Sequence, residues 1–160
     1  MSDEKSVEKA SIIVMSGDMD KVMGAFIIAT GAAAFDMQVS MFFTFWGLKA
    51  IQKGNLTGKT FMGKMLGVMN RGGMDRLGPS KFNFGGMGRW MFKKMMKNRK
   101  VTTLPELLRQ AQELGVRLTA CEMSMKVMEI KKEDLIDGVQ IGGVASFIAD
   151  ASESKFSLFI

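Results

Sequence analysis

Apolar positions along this chain follow two rhythms, and the switches between them mark out its elements. Ala10-Ser11-Ile12-Ile13-Val14-Met15-Ser16 is a β-branched run suited to a strand buried on both faces, ending in the turn Ser16-Gly17-Asp18. Lys21–Phe35, rich in Ala, Ile and Met, predicts a helix capped by Asp18 or Asp20, with Gly24 and Gly31 as small packing positions. Val39–Phe45 reads as a second buried strand, and Gly47–Lys53 as a short helix or turn. Thr102 or Thr103 caps a helix with Pro105 in its first turn. Leu104, Leu107, Leu108, Ala111 and Leu114 form that helix's apolar face, and Gly115 stops it. Val116–Ala120 is a third strand, Cys121–Met128 a helix, Val139–Gly142 a short strand, Gly143–Glu153 a helix and Phe156–Ile160 a last strand.

Strands that alternate with helices predict a parallel sheet covered on both sides. The expected fold is a doubly wound, three-layer α/β/α domain of about five strands with right-handed crossovers. It occupies residues 1–160 as a single domain, with 1–9 as a flexible tail. Its functional edge is expected at the carboxyl ends of the strands. That edge gathers Ser16, Gly17 and Asp18, Trp46 and Gly47, Cys121 with Met123 close by, and Gly142 and Gly143.

Between the second and third strands the pattern becomes irregular. Residues 54–100 form a Met- and Gly-rich basic insertion, with breaks expected at Gly72-Gly73 and Gly85-Gly86 and short helices and loops between them. From Lys53 to Lys100 there are 12 lysines and arginines and one acid, Asp75, whereas the remaining residues hold 10 basic and 15 acidic ones. Such asymmetry points to an anionic partner or a membrane surface. The segment reads as a flexible lid or docking surface, with Arg71, Arg76, Lys81, Arg89, Lys93 and Lys94 as the candidate cations for an acidic carrier protein or an anionic sulfur species. Trp90-Met91-Phe92-Lys93-Lys94-Met95-Met96-Lys97 mixes apolar and basic residues as interfacial helices do. An oligomer interface with a basic rim is the plainer reading. Nucleic acid is disfavoured, because no recognised binding module accompanies the basic patch.

The longest apolar stretch, Val22–Trp46, is broken by Asp36 and Gln38, so helix followed by strand fits it better than a membrane span of about 20 residues. The charged N-terminus has no apolar signal-peptide core, and one cysteine permits no disulfide framework, so the expected location is cytoplasmic.

The chemistry is bounded by what is scarce: one cysteine, Cys121, and no histidine. This rules out Cys-His pairs, Ser-His-Asp triads, His-ligated metals, Cys-x-x-Cys pairs and multi-cysteine zinc sites. No metal or cofactor is expected. Gly54-Asn55-Leu56-Thr57-Gly58-Lys59-Thr60 resembles a phosphate loop but has three residues between its glycines where four are needed, so it reads as a polar turn. No Gly-x-Gly-x-x-Gly follows the first strand. Cys121 itself has two readings. It is a small buried hydrophobe, or a thiol placed where a strand meets a helix start, whose free N–H groups favour a thiolate. Glu122 opposes the second reading unless its carboxylate points away. A lone thiolate with no base can attack a sulfane sulfur, hold it as a persulfide and surrender it to another thiolate.

The chain also resembles the DsrE/DsrF/DsrH-like family, specifically the branch called DsrE2. The matching stretches are Ser16–Lys21, Phe42–Gly47, Gly85–Gly88, Ala120–Met125 and Leu135–Ala145. The resemblance implies a flavodoxin-like fold, homo-oligomers, and a sulfur-carrier or sulfurtransferase role. In that role persulfide sulfur is exchanged with TusA-like and rhodanese-like proteins through a strand-end cysteine that maps onto Cys121. The alternative function is a non-catalytic scaffold or membrane-peripheral module that uses the basic segment.

Overall fold

The computed structural model describes residues 7–160. Five strands, β1 (Lys9–Val14), β2 (Gln38–Phe43), β3 (Arg117–Cys121), β4 (Gln140–Gly142) and β5 (Phe156–Phe159), form one sheet in the order β4-β3-β2-β1-β5. Every adjacent pair is parallel. Among the described residues one antiparallel bridge, Gln52 to Leu135, lies outside the strands. Six α-helices accompany the sheet: α1 (Met19–Ala34), α2 (Phe61–Met69), α3 (Met87–Asn98), α4 (Leu104–Glu113), α5 (Glu122–Val127) and α6 (Val144–Ser152). This is the doubly wound α/β arrangement that the alternation predicts and the flavodoxin-like one that the resemblance implies. Val22–Trp46 is divided between α1 and β2, and no helix among the described residues is long and apolar enough to cross a membrane.

The two faces of the sheet differ. Ile12, Met41 and Leu118 stand side by side in register and are fully buried beneath α1 and α4. In α1 the residues that meet this row are Met19, Val22, Ala25, Phe26 and Ala29, the spacing of one helical face. Each large side chain removed from water here stabilises the fold by roughly 1.5–3 kcal/mol. The opposite face is thinner and more polar. Ser11 bonds Ser157 across β1 and β5 at 2.8 Å, and a small cluster of Phe42, Cys121 and Phe147 sits under α6.

Several boundaries move from those expected. Lys9, assigned to the tail, is the first residue of β1: it pairs with Gln38, and its carbonyl accepts from Lys155 N–H. Val7 and Glu8 precede it outside any element, the Glu8 carbonyl accepting from Gln38 N–H, and residues 1–6 of the expected tail lie outside the described residues. β2 stops at Phe43 because Phe45 adopts φ 44°, a bend that starts the 3-10 helix Phe45–Ile51. Asp18 occupies the N-cap position of α1, but its carboxylate accepts from Ser16 Oγ instead of capping. Asp20 accepts from Ser80 N–H and Oγ, so it ties the basic segment to the start of α1. Residues 54–100 are short helices and loops, as expected. Gly73 (φ 113°) and Gly86 (φ 111°) supply left-handed backbone at the two predicted breaks.

Candidate functional site

Because the strands are parallel, their carboxyl ends share one edge. Cys121 ends β3 and is also the N-cap of α5. Its register partner on β4 is Gly142. From β3 the chain passes into α5, whose Met125 joins the core under α1 and α4. From β4 it passes into α6, on the other face. The chain therefore leaves these neighbouring strands toward opposite faces between Cys121 and Gly142, where open α/β sheets form their binding crevices.

The Cys121 thiol lies near Ser124, Thr44 and the backbone N–H of Met123, groups that can donate to a thiolate; because Thr44 and Ser124 bond each other, one hydroxyl proton of the pair is left for the sulfur. Burial pushes the thiol up, but hydrogen bonding from Ser124 first, then Thr44 and Met123, outweighs it and holds Cys121 below its ordinary value. The resting thiol makes no capping hydrogen bond itself, so these donors act on the thiolate. Thr44 and Ser124 bond each other at 2.8 Å. Glu122 does not face the sulfur. Its carboxylate pairs with Lys126 at 2.7 Å, one helical turn on, and that pairing lowers it. Cys121 is only 5% exposed, covered on the α6 side by Phe42 and Phe147, whose ring centroids are 5.6 Å apart.

The remaining candidates divide into groups. Gly142 and Gly143 lie beside Cys121 at the start of α6, where Ser146 Oγ donates to the Gly143 carbonyl. Met123 contributes its backbone N–H, while its side chain is exposed. Ser16, Gly17, Asp18 and Trp46 line a separate open cleft of about 490 Å³ at the end of β1, together with Lys21 and Lys49. Burial, and then the nearby Arg89, push Lys49 down. Gly47 has no Cβ because one would lie 2.0 Å from the Val14 carbonyl oxygen. A larger cavity, about 690 Å³ between α3 and α4, contains no strand-end residue and is not the thiol's pocket.

Three of the six docking cations are structural ties. Arg71 donates to the Gly54 carbonyl at 2.7 Å, Arg89 to the Arg76 carbonyl at 2.9 Å, and Lys93 to the Asp75 carbonyl at 2.7 Å. Arg76 supplies the carbonyl that accepts from Arg89, Lys94 lies over the Trp90 ring, and Lys81 is exposed. The phosphate-loop lookalike is occupied by the protein's own anion: Glu129 accepts from Lys59 N–H, from Thr60 N–H at 2.9 Å and from Thr60 Oγ1 at 2.6 Å. Thr44, Ser124 and Phe147 were not singled out by the sequence reading. Ser124 carried a signal, being the third residue of a helix that begins at the thiol, where a hydroxyl turns back to the cap.

Fold and site together define a flavodoxin-like α/β protein with a single thiol at the topological switch point. The chain belongs to the DsrE/DsrF/DrsH-like family, whose model matches residues 6–159. It is 46% identical over 158 residues to the uncharacterized protein YrkE of Bacillus subtilis, covering 98% of this chain and 99% of that one. It is 35% identical over 157 residues to the sulfur carrier protein DsrE2 of Allochromatium vinosum, covering 96% and 98%. Two solved structures share the fold. The ychN protein of E. coli aligns with a TM-score of 0.57 at 12% identity, over 96% of this chain and 100% of that one. MTH1491 of Methanobacterium thermoautotrophicum aligns with 0.54 at 11%, over 96% and 99%.

Proposed function

We propose that this protein is a sulfur carrier that holds sulfane sulfur on Cys121 as a persulfide and passes it to a thiol of a partner protein. The observation that carries the reading is a lone thiol at the end of β3 and the N-cap of α5, with the Thr44–Ser124 hydroxyl pair beside it, in a chain without histidine. Such a site stabilises a thiolate, and equally a persulfide anion, yet supplies no base for hydrolysis. The relative named as a sulfur carrier supports the same reading.

In the loading step the Cys121 thiolate attacks the outer sulfur of a donor persulfide. A sulfur–sulfur bond forms at Cys121, the donor's sulfur–sulfur bond breaks, and the donor thiolate leaves with the electron pair. Unloading reverses this: the acceptor's thiolate takes the outer sulfur, and Cys121 leaves as thiolate. No net oxidation occurs in either step. Donor and acceptor are proteins that present an exposed thiol, TusA-like and rhodanese-like by the family resemblance. Because Phe147 covers the sulfur, α6 must shift for transfer to occur. That helix buries only Phe147 and follows Gly142-Gly143.

Intact mass measurement after incubation with a persulfide donor tests the proposal. The expected result is a gain of one or more sulfur atoms that is absent in Cys121→Ser. A thiol that titrates in the native protein but gains no sulfur overturns it. A thiol that titrates only after unfolding makes Cys121 a core residue and favours a scaffold.

A further inference from the structure

The segment between β2 and β3 is built inside out. In α2 the inward residues are glycines: a Cβ on Gly63 would lie 2.1 Å from Glu129 Oε2, and one on Gly67 would lie 2.2 Å from the Thr57 carbonyl oxygen. Leu66 packs on the core, but the other large side chains, Phe61, Met62, Met65, Val68 and Met69, are exposed. α3 repeats the scheme. Gly88 packs against the Phe82 carbonyl, 2.1 Å from a built Cβ, while Met87, Trp90, Met91 and Met95 point outward. The inner side of α3 is held by Arg89 and Lys93 on backbone carbonyls. Just before it, Phe82 and Phe84 are each 70% exposed, at φ 58° and 38°. Left-handed backbone costs a bulky residue free energy, and here it holds both rings in solvent.

Charge narrows what covers this surface. From Lys81 to Lys100 there are seven lysines and arginines and no acid. A two-fold contact with a second copy would set this patch against itself, like charge against like. The occupant must be anionic and must also accept aromatic rings and thioethers along a convex helix face. Lys94 Nζ lies over the Trp90 ring, 5.1 Å from its centroid, a cation–π pair that keeps an ammonium beside an exposed indole. That disposition suits a ring at the acyl boundary with an ammonium among headgroup phosphates.

We infer that α3 and the Phe82–Phe84 loop seat this protein peripherally on an anionic phospholipid bilayer. The contact is independent of the thiol. The full chain is co-sedimented at low salt with phosphatidylglycerol–phosphatidylcholine vesicles and with phosphatidylcholine vesicles alone. Pelleting is expected with the first only and weakens as salt is added. In a Trp46→Phe background the remaining Trp90 emission shifts to the blue on binding. Lys94→Gln with Lys97→Gln lowers partitioning roughly 30-fold, and Phe82→Ser with Phe84→Ser lowers it further, with far-UV circular dichroism unchanged. Cys121→Ser binds as the parent does. Absence of pelleting at low salt overturns the inference, as does equal pelleting by the charge and ring variants. Self-association that the ring variants abolish, without vesicle binding, assigns the face to a second copy and overturns it too.

Discussion

Thr44 Oγ1 and Ser124 Oγ lie 2.8 Å apart beside Cys121. The contact joins the end of β2 to the first turn of α5, so the sheet's register fixes it: Phe43 pairs with Ala120, which sets the next residues, Thr44 and Cys121, side by side. Removing either hydroxyl leaves the burial of the thiol unchanged but withdraws a donor to the thiolate. In Ser124→Ala the midpoint of thiol alkylation against pH is expected to rise, with a smaller rise in Thr44→Val. Linkage fixes the effect on stability. A thiol held below its ordinary value contributes stability that is fully present above the unfolded value, and lost as pH falls through the folded one. Urea midpoints of the parent should therefore rise with pH across that window, and those of Ser124→Ala should rise less. An unchanged alkylation midpoint in both variants would show that the hydroxyls do not act on the sulfur.

Phe147 is the buried residue of α6, and it covers Cys121. Phe147→Ala is expected to cost about 3 kcal/mol, as loss of a buried ring does, and to speed the reaction of the native thiol with an aromatic disulfide. Phe147→Leu keeps most of the volume and should fall between the two. If the rate tracks global unfolding measured in the same buffer, α6 does not act as a separate cover.

The Glu122–Lys126 pair at 2.7 Å keeps a carboxylate from turning toward the neighbouring sulfur. Lys126→Ala releases it and should raise the alkylation midpoint of Cys121. Glu122→Gln removes the charge and should leave that midpoint where it is or lower it slightly. The double variant should behave as Glu122→Gln does, because the lysine acts only through the glutamate. A rise in the double variant as large as in Lys126→Ala alone would refute this dependence.

The elements were legible where apolar residues keep one period. α4 presents a single helical stripe, α1 is a long Ala-, Ile- and Met-rich run between turn signals, and the strand runs are β-branched or aromatic, so the alternation and the parallel sheet follow from sequence. The position of Cys121 at a strand end was legible for the same reason. The rest of its setting was not. Thr44 and Ser124 are 80 residues apart and meet only through strand register, and Phe147 arrives from a helix on the opposite face. Glu129 filling the polar turn at Lys59–Thr60 is a contact of the same kind, invisible to local spacing. Trp46 failed to join the thiol because the 3-10 helix after Phe45 carries it toward β1, where Gly17 meets its carbonyl.

Two glycines with opposite settings test the packing. Gly47 stands where a Cβ would press to 2.0 Å from the Val14 carbonyl oxygen, an atom that also accepts from Thr44 N–H at 3.0 Å. Gly47→Ala is expected to cost about 3 kcal/mol or more and, by moving Thr44, to raise the alkylation midpoint of Cys121. Gly24 lies inside α1 with nothing within 4 Å of a built Cβ. Gly24→Ala should stabilise by roughly 0.5–1 kcal/mol and leave the thiol unchanged. Chemical denaturation of both variants beside the parent checks the pair, and equal effects would show that the close approach at Gly47 is not a constraint.

Glu129 holds the start of the methionine-rich segment to the body. Its own backbone is left-handed, φ 52°, and its carboxylate takes the N–H groups of Lys59 and Thr60 and the Thr60 hydroxyl. Bonding from Thr60 first, then Lys59, holds the carboxyl below the usual carboxylate range. The sign follows from that direction. The contact is complete above the ordinary carboxylate value and is lost as pH falls through the lowered one. Amide exchange at Lys59, Thr60 and the first turn of α2 should therefore stay protected at mildly acidic pH and open at lower pH, before the sheet does. Glu129→Gln keeps the shape but loses the charge. It should expose those amides at every pH while the amides of β1 and β2 keep their protection. Protection at Lys59 and Thr60 that is the same in Glu129→Gln and the parent would mean that α2 is held by its glycine contacts alone.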